Sequence, residues 1–545
     1  MTERPADFRF ADLRAGIPLV VWLIVALHAL VFASYAALVP YYRSPDEIQH
    51  VDMAVHLQRS LDYPLPQERQ ISLGVMNSTV SAGYGGVPTR SPSENRPLDP
   101  TRATARSERP SFTELGGDEP YVEGNQMGQH PPVYYVAVAA VLRVVPGSAD
   151  WPWDRVVHLL RLLSVLMILP VPLLSYVTAR RLGASLAVAV TASMVTLAIP
   201  EFAHIGSAVN NDNLLVLLMG AAIMLIAYVV TGDSSRRTAV LLGGIGALAL
   251  LTKGLVLFAP VWIVLVYAAA AWQRADSRFL HRGILAAAIT SVLGGWWWIR
   301  NLVVYDAIQP RGLVGPPLVG SPAEPYTLPE KGWGWTQVAA RSLSSRFWFE
   351  HSMTRNCSGP PLRGRCVPNP DAAWISSWAG VASVVTLTLI ALALIVAARR
   401  RQLLPLLAIG IPFALSFAQL VAVDWLEYAH SGVPSGLQGR YFYLALVGVA
   451  VLVALGAGGL AGRHDRWLPL ALLTVAALLH ARTIVTILGN HWNGARLGVR
   501  AAAANATAWS ALPSSLVRGT WLGALVLAGA VGVLLLSSAR RPHTA

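Results

Sequence analysis

The chain has 545 residues, of which 54% are hydrophobic and 13% charged, about half the charged share of an ordinary soluble domain, roughly 25%. Its formal net charge is +13, yet the long apolar runs exclude a soluble nucleic-acid binder, a collagen, a disulfide scaffold and a disordered tail. Basic charge in such a chain belongs first to cytoplasmic loops, and a skew of forty arginines to two lysines (Lys253 and Lys331) points to a high-GC bacterial genome.

A membrane span takes about 20 apolar residues, and twelve segments qualify. The first, Gly16 to Pro40, is too long for a signal-peptide core of about 7–15 residues and reads as an uncleaved span. Later ones start near Val156, Leu182, Asp212, Thr238, Gly254, Arg282, Asp371, Gln402, Arg440, Arg466 and Arg518. Arginine clusters at Arg180–Arg181, Arg236–Arg237, Arg274–Arg282, Arg399–Arg401, Arg463–Arg466 and Arg540–Arg541 fall on alternate connections. The positive-inside rule puts these and both termini in the cytoplasm of a multi-pass protein of the bacterial inner membrane.

Five regions follow: a cytoplasmic N-terminus with the first span (1–40), an extracytoplasmic loop with juxtamembrane helices (41–155), a transmembrane core (156–301), a second extracytoplasmic loop (302–370) and C-terminal transmembrane helices (371–545). The apolar stretch Pro131–Val145 is too short to span without inverting every later loop, so it is expected at the outer interface. Thr238–Lys253 is a short span, of a kind that often borders a water-filled cavity. Ser72–Pro120, rich in Gly, Ser, Thr and Pro, is expected to be mobile loop. Cys357 and Cys366 lie in the second outer loop, where an exported disulfide is expected; two unpaired thiols are the other reading. Asn77, Asn356 and Asn505 begin Asn-x-Ser/Thr triplets, which carry no weight in a bacterial host. No internal repeat is visible.

The most informative stretch follows the first span: Arg43-Ser44-Pro45-Asp46-Glu47-Ile48-Gln49-His50. Ser44 as N-cap, Pro45 at the first helical position and Glu47 at the third would complete a capping box. Asp46 and His50, four apart, would share one helical face. The bland reading makes Glu47 a cap and Asp46 an answer to the helix dipole, but the capping box leaves Asp46 unused. An aspartate rooted at the membrane surface is well placed to act on a lipid-linked head group. Further on, Pro131 and Pro132 fix a helix start and hold His130 at its mouth.

Cations stand where the charge bias disfavours them. Arg161, Lys253, Arg300 and Arg440 lie at the outer ends of spans, where a basic residue usually faces a cavity or a partner. Snorkelling to lipid phosphates accounts for any one of them; for four together an anionic ligand such as a phosphate is the simpler cause. Trp296-Trp297-Trp298 is either an interface belt or a sugar-stacking wall. Asn211 reads as the N-cap of the span that Asp212 opens. No metal motif is present and no Walker-type phosphate loop, so no cofactor is expected and ATP is not the expected energy source; a divalent metal stays open as the alternative, with no motif to support it.

In order along about four hundred residues, these motifs resemble the C-type (GT-C) superfamily of membrane glycosyltransferases, in particular a bacterial branch of formerly unknown function. They are Pro45-Asp46-Glu47 with His50, His130-Pro131-Pro132 before Tyr134-Tyr135, Arg161-Leu162-Leu163-Ser164, Asn210-Asn211-Asp212, Leu251-Thr252-Lys253, Trp297-Trp298-Ile299-Arg300-Asn301 and Gln438-Gly439-Arg440-Tyr441. The resemblance implies an all-α polytopic bundle of about 12 transmembrane helices and an outward-facing cavity beneath juxtamembrane helices. It implies a polyprenyl-phosphate sugar donor, and an extracytoplasmic glycan, lipid or protein acceptor. Membrane lipids surround such a protein and nucleic acid plays no part. A catalytic carboxylate is expected in the first outer loop: Asp46, with Glu47 as its rival. One base suffices where the leaving group is already a phosphate, and in-line attack inverts the anomeric centre. Arg161, Lys253, Arg300 and Arg440 would bind the donor phosphate, with His50, His130, Tyr134 and Asp212 around the substrate. The alternative is a transporter or flippase of a lipid-linked glycan, which tends to show repeated halves. The discriminating geometry is Asp46 within about 10 Å of Lys253 or Arg440, one sugar ring plus hydrogen-bond reach.

Overall fold

A computed structural model describes residues 7–8, 16–84, 98, 100–312, 328–349, 355–357, 366–368, 370–431, 437–492 and 494–540. Its helices begin and end where proline and charge dictate. Helix α1 (Leu19–Leu38) stops because Pro40 drives Val39 into extended backbone. The juxtamembrane helices α2 (Glu47–Arg59), α3 (Leu73–Ser81) and α4 (Val133–Val144) follow. At 12 residues α4 is too short to cross a bilayer.

Pro170 and Pro172 interrupt the next span into α5 (Trp153–Ile168) and α6 (Val171–Arg181). A 69° bend, with Pro200 opening its second limb, separates α7 (Leu186–Met194) from α8 (Pro200–Gly206). Then come α9 (Asp212–Val230), α10 (Arg236–Leu250), α11 (Ala259–Arg274), α12 (Ser277–Tyr305) and α13 (Leu328–Trp348). The C-terminal part holds α14 (Pro370–Arg399), α15 (Leu403–Ser431), α16 (Leu446–Ala461), α17 (Leu468–His491), α18 (Gly494–Leu497), α19 (Val499–Trp509) and α20 (Ser514–Arg540).

The protein is an all-α polytopic membrane protein. Helices occupy all twelve expected span positions, and among the described residues eight stretches are long and apolar enough to cross a membrane, or nine with the bent pair. One of the eight, Gly439–His491, contains both α16 and α17. The most apolar stretch of α9 is 78% buried, whereas those of α14 and α20 are 11% and 17% buried, so α9 is central and the other two face lipid. Helix α10 has only 15 residues and leans on α12. Its glycines let the backbones meet: a Cβ on Gly243 would stand 2.8 Å from the Ala286 carbonyl, and one on Gly294 would stand 2.8 Å from the Ala247 backbone. Thr290 and Trp298 of α12 donate to the Gly243 and Leu250 carbonyls at 3.2 Å.

The expectation of a mobile loop over Ser72–Pro120 is corrected for the described residues of that stretch. Its start forms α3, and β1 (Gln70–Ser72) pairs antiparallel with β2 (Pro120–Gly124). Composition hid this order because polar anchors supply it. Buried Asp52 on α2 takes Arg69 through two bonds (2.7 and 2.9 Å), the Ser72 amide and Asn125, while Arg109 grips Asp154 of α5 at 2.5 Å. Residues 85–97 and 99 lie outside the description. In the second outer loop β3 (Arg355–Cys357) pairs with β4 (Cys366–Pro368), setting Cys357 directly across from Cys366. The two cysteine side chains lie outside the described residues, and so does the expected disulfide.

The α10–α12 contact yields a test. Gly294→Leu should lower the midpoint of thermal unfolding by a few degrees, the signature of about 1–3 kcal/mol of overpacking. Leu at Gly295, where a Cβ meets nothing within 4 Å, should leave it unchanged. Fluorescence-monitored melting of both variants checks this.

Candidate active site

The turn between α1 and α2 is built around one buried ion pair. Arg161 of α5 and Glu47 at the start of α2 are almost wholly inaccessible, at 1% and 0% exposure. The guanidinium meets the carboxylate with two parallel bonds, Nε to Oε1 at 2.7 Å and Nη2 to Oε2 at 2.6 Å. Its remaining N–H groups donate to the carbonyls of Ala36, Val39 and Pro40 at the end of α1, where a helix leaves carbonyls unpaired. Glu47 also accepts the Tyr42 and Val209 amides at 2.7 and 3.0 Å.

This arrangement overturns the expected capping box. Helix α2 starts at Glu47, one residue after Asp46, whose side chain makes no cap bond. Glu47 cannot reach back to cap because Arg161 and two distant amides hold its carboxylate. Ser44 bonds instead to His204 Nε2 at 2.9 Å, and His204 Nδ1 lies 3.2 Å from Glu201. The tight reversal forces left-handed backbone on two non-glycine residues, Tyr42 (φ 68°) and Asp46 (φ 58°), conformations that cluster at functional sites. Held this way, the Asp46 side chain points away from the Glu47–Arg161 bridge.

It points to Arg440. Asp46 Oδ2 accepts Arg440 Nη2 at 2.8 Å, and Gln126 Nε2 lies 3.4 Å from Oδ1. Arg440 sits in the 3₁₀ turn Gly439–Ala445 before α16. Its Nε lies 3.7 Å from Asp212 Oδ2, and Asp212 Oδ1 takes Lys253 Nζ at 2.5 Å. Lys253 follows the end of α10 and stands over the Tyr441 ring at 4.7 Å. Four segments far apart in sequence thus meet in one chain of alternating charge: Asp46, Arg440, Asp212, Lys253. Three members are buried, with side chains 5%, 4% and 10% exposed for Arg440, Asp212 and Lys253. Asp46 is 34% exposed and forms the accessible end.

Several buried polar atoms around this chain find no hydrogen-bond partner among the described residues: Arg440 Nε and Nη1, Asp212 Oδ2, His130 Nδ1 and both amide atoms of Asn211. Buried polar groups are usually satisfied by protein or ordered water, so these atoms are where a water or a polar ligand can be accommodated. Burial, reinforced by nearby Lys253, pushes the His130 imidazole down to about 3. Burial, then His130 and Lys253, holds His50 well below the ordinary histidine range. Both rings are neutral at physiological pH and act as hydrogen-bonding surfaces. His50 stacks on Tyr135 (centroids 5.8 Å apart, 18° between planes) and bonds its hydroxyl at 2.9 Å; Tyr134 is buried edge-on to both.

The remaining expectations divide. Arg161 is not available to a phosphate, since protein atoms take all its donors. Arg300 lies on Trp297 and Tyr305 (5.1 and 5.5 Å) and donates to Asn301, outside the Asp46–Lys253 chain. Of the three tryptophans only Trp296 is substantially exposed; Trp297 packs edge-on against Tyr63 at 5.8 Å and Trp298 is tied to α10, which is neither a belt nor an open wall. Asn211 makes no cap bond; the Asn210 side chain accepts the Asp212 amide instead. Gln126 and Tyr441 join the site without having been singled out: Tyr441 adjoins Arg440 in sequence, whereas nothing local marks Gln126. Among the described residues no group of three or more His, Cys, Asp or Glu side chains could hold a metal ion.

Residues 121–308 match the family model "Dolichyl-phosphate-mannose-protein mannosyltransferase". This is a C-type membrane glycosyltransferase family, so the resemblance expected from the ordered motifs is met over this segment. The matched stretch contains His130, Asp212 and Lys253 and ends before Arg440; Asp46 precedes it. No curated protein matches the chain. Among solved structures, the chain is similar to ArnT from Cupriavidus metallidurans bound to undecaprenyl phosphate, at 15% identity, covering 94% of this chain and 77% of that one with a TM-score of 0.41. It is also similar to the apo oligosaccharyltransferase of Archaeoglobus fulgidus, at 11% identity, covering 91% of this chain and 56% of that one with a TM-score of 0.42.

The buried bridge yields its own test. Glu47→Gln or Arg161→Met alone leaves a buried charge without its partner and should cost about 3–5 kcal/mol of stability. The double substitution should cost less than the sum of the two. Equilibrium unfolding of the three variants measures the coupling, and additive losses would contradict it.

Proposed function

We propose that the protein is a membrane glycosyltransferase that moves a sugar from a polyprenyl-phosphate donor to an acceptor on the extracytoplasmic face of the bacterial inner membrane. One observation carries this reading: an accessible aspartate touches a buried arginine whose Nε and Nη1 make no hydrogen bond among the described residues, with a lysine one carboxylate further on. The family matched over residues 121–308 is named for a lipid-phosphate sugar donor, and the resemblance of the ordered motifs agrees with it.

The chemistry follows from charge. In the ligand-free site two cations, Arg440 and Lys253, are balanced by two carboxylates, Asp46 and Asp212. A donor phosphate entering this site competes with Asp46 for Arg440. It takes the unpaired guanidinium N–H groups and the Lys253 ammonium, because a phosphate offers several strong acceptor oxygens in the geometry an arginine fork prefers. Asp46 is thereby released at the accessible end, where the acceptor arrives. Its carboxylate takes the proton of the acceptor hydroxyl as that oxygen bonds to the anomeric carbon from the face opposite the phosphate. The bond from that carbon to the phosphate oxygen breaks, its electron pair leaving with the lipid phosphate, and the anomeric centre inverts. Arg440 and Lys253 stabilise the added charge on the departing phosphate. His50, His130 and Tyr134 line the path as neutral contacts, and Asp212 holds Lys253 and Arg440 in place.

Glu47 takes no part as base. Fully buried and shared among Arg161 and two amides, it reaches no acceptor, and Asp46 is the carboxylate we assign to the proton.

The decisive assay uses purified protein with a panel of polyprenyl-phosphate sugars and reads release of lipid phosphate. Asp46→Asn should lower turnover by about 10²–10⁴-fold, the usual contribution of a general base, while donor affinity is kept or tightened. Arg440→Ala should weaken donor affinity about tenfold or more, the loss of a hydrogen bond to a charged group. Normal turnover in Asp46→Asn would remove that residue from the mechanism, and unchanged donor affinity in Arg440→Ala would remove the phosphate role. Donor crossing the bilayer without release of its phosphate would indicate a flippase.

A further inference from the structure

Where α9 and α16 reach the opposite face of the bundle lies a cavity of about 570 Å³. It is enclosed by the turn between α6 and α7, the end of α9, the turn between α14 and α15, and α16. Asp212 opens α9 and Thr231 follows its last residue; 19 helical residues at about 1.5 Å each separate the two sites by roughly the hydrocarbon thickness of a bilayer. This is the arginine-rich face, cytoplasmic by the charge rule.

The cavity joins two kinds of surface. Its rim is basic. Arg181 is fixed at the mouth, its guanidinium 4.2 Å over the Tyr228 ring and its Nε donating to Thr231 at 2.7 Å. Exposed Arg400 also lines it, between Arg399 and Arg401 in sequence. The single acid in the lining, Asp465, accepts the Ser185 hydroxyl at 2.6 Å. The walls are apolar, formed by Leu406 and Leu455 among others, and α14, whose apolar stretch is only 11% buried, borders it on the lipid side. Gly459 of α16 lines the cavity without filling it, since a Cβ there meets nothing within 4 Å.

We propose that this cavity is a site for a phospholipid with an anionic head group. The phosphate is gripped between Arg400 and Arg181, and an acyl chain lies against Leu406 and Leu455. Basic pockets between membrane helices on the cytoplasmic side suit such head groups. A zwitterionic head group would bring its own cation up against the arginines, and a free inorganic phosphate would leave the apolar walls unused. The site is independent of the transfer chemistry, and neither reading depends on the other.

The test uses full-length protein exchanged into vesicles of phosphatidylglycerol or of phosphatidylcholine, then released for native mass spectrometry to count retained lipid. Phosphatidylglycerol should be retained about tenfold over phosphatidylcholine, equivalent to about 1.4 kcal/mol. Gly459→Leu puts a side chain into the cavity without steric conflict and with better helix propensity. It should abolish that preference at an unchanged melting temperature, and Arg400→Ala should reduce it. Inorganic phosphate added in millimolar excess should not displace the lipid. Equal retention of the two lipids, an unaltered preference in Gly459→Leu, or displacement by inorganic phosphate would each overturn the proposal.

Discussion

A guanidinium buried at the end of a membrane helix must have every donor satisfied, and the way Arg161 meets that demand sets the geometry of everything above it. Its five N–H groups find three carbonyls at the end of α1 and both oxygens of Glu47. The pair ties the first span, the juxtamembrane helix α2, α5 and the segment before α9 to one point. The backbone between Tyr41 and Glu47 has no freedom left, and two residues accept left-handed conformations as a consequence. In the ligand-free protein the Asp46 carboxylate lies against Arg440. The buried bridge is structural, and it leaves the neighbouring carboxylate for the role we propose for it.

The second consequence concerns charge balance. Asp46, Arg440, Asp212 and Lys253 alternate in sign and sum to zero, so the site tolerates burial without a ligand, a condition that isolated cations in a membrane protein do not meet. Neutrality also gives the proposed reaction its order. An anionic donor gains the full attraction of Arg440 only by displacing Asp46, and the displaced aspartate is the group that must next accept a proton. In that proposal, binding of the donor and release of the base are one event.

Much of this was legible in the sequence, and the failures are instructive. Cations at the outer ends of spans pointed to a shared anionic partner, because the cost of burying them demands one; Lys253 and Arg440 do meet, through Asp212. The same reasoning could not tell which partner. Arg161 found its anion inside the protein, in Glu47, 114 positions earlier in the chain, and Arg300 found aromatic rings. The capping pattern Ser44-Pro45-Asp46-Glu47 was read by local rules and overridden by that same long-range pair. The order in the first outer loop comes from Asp52, Arg69, Asn125 and Arg109, whose long-range bonds reach across 17 to 400 residues and leave no periodic trace. Helix positions, by contrast, depend on runs of apolar residues and on proline, and a single sequence displays both.

The account stands or falls on where the donor phosphate sits. A cryo-electron microscopy structure of the unaltered protein with a non-cleavable phosphonate analogue of a polyprenyl-phosphate sugar measures this directly. The account predicts phosphonate oxygens about 2.7–3.2 Å from Arg440 and Lys253 nitrogens, with the Asp46 carboxylate turned from Arg440 toward the anomeric carbon. A phosphonate bound elsewhere, at Arg300 for instance, with the Asp46–Arg440 bond intact, would contradict it.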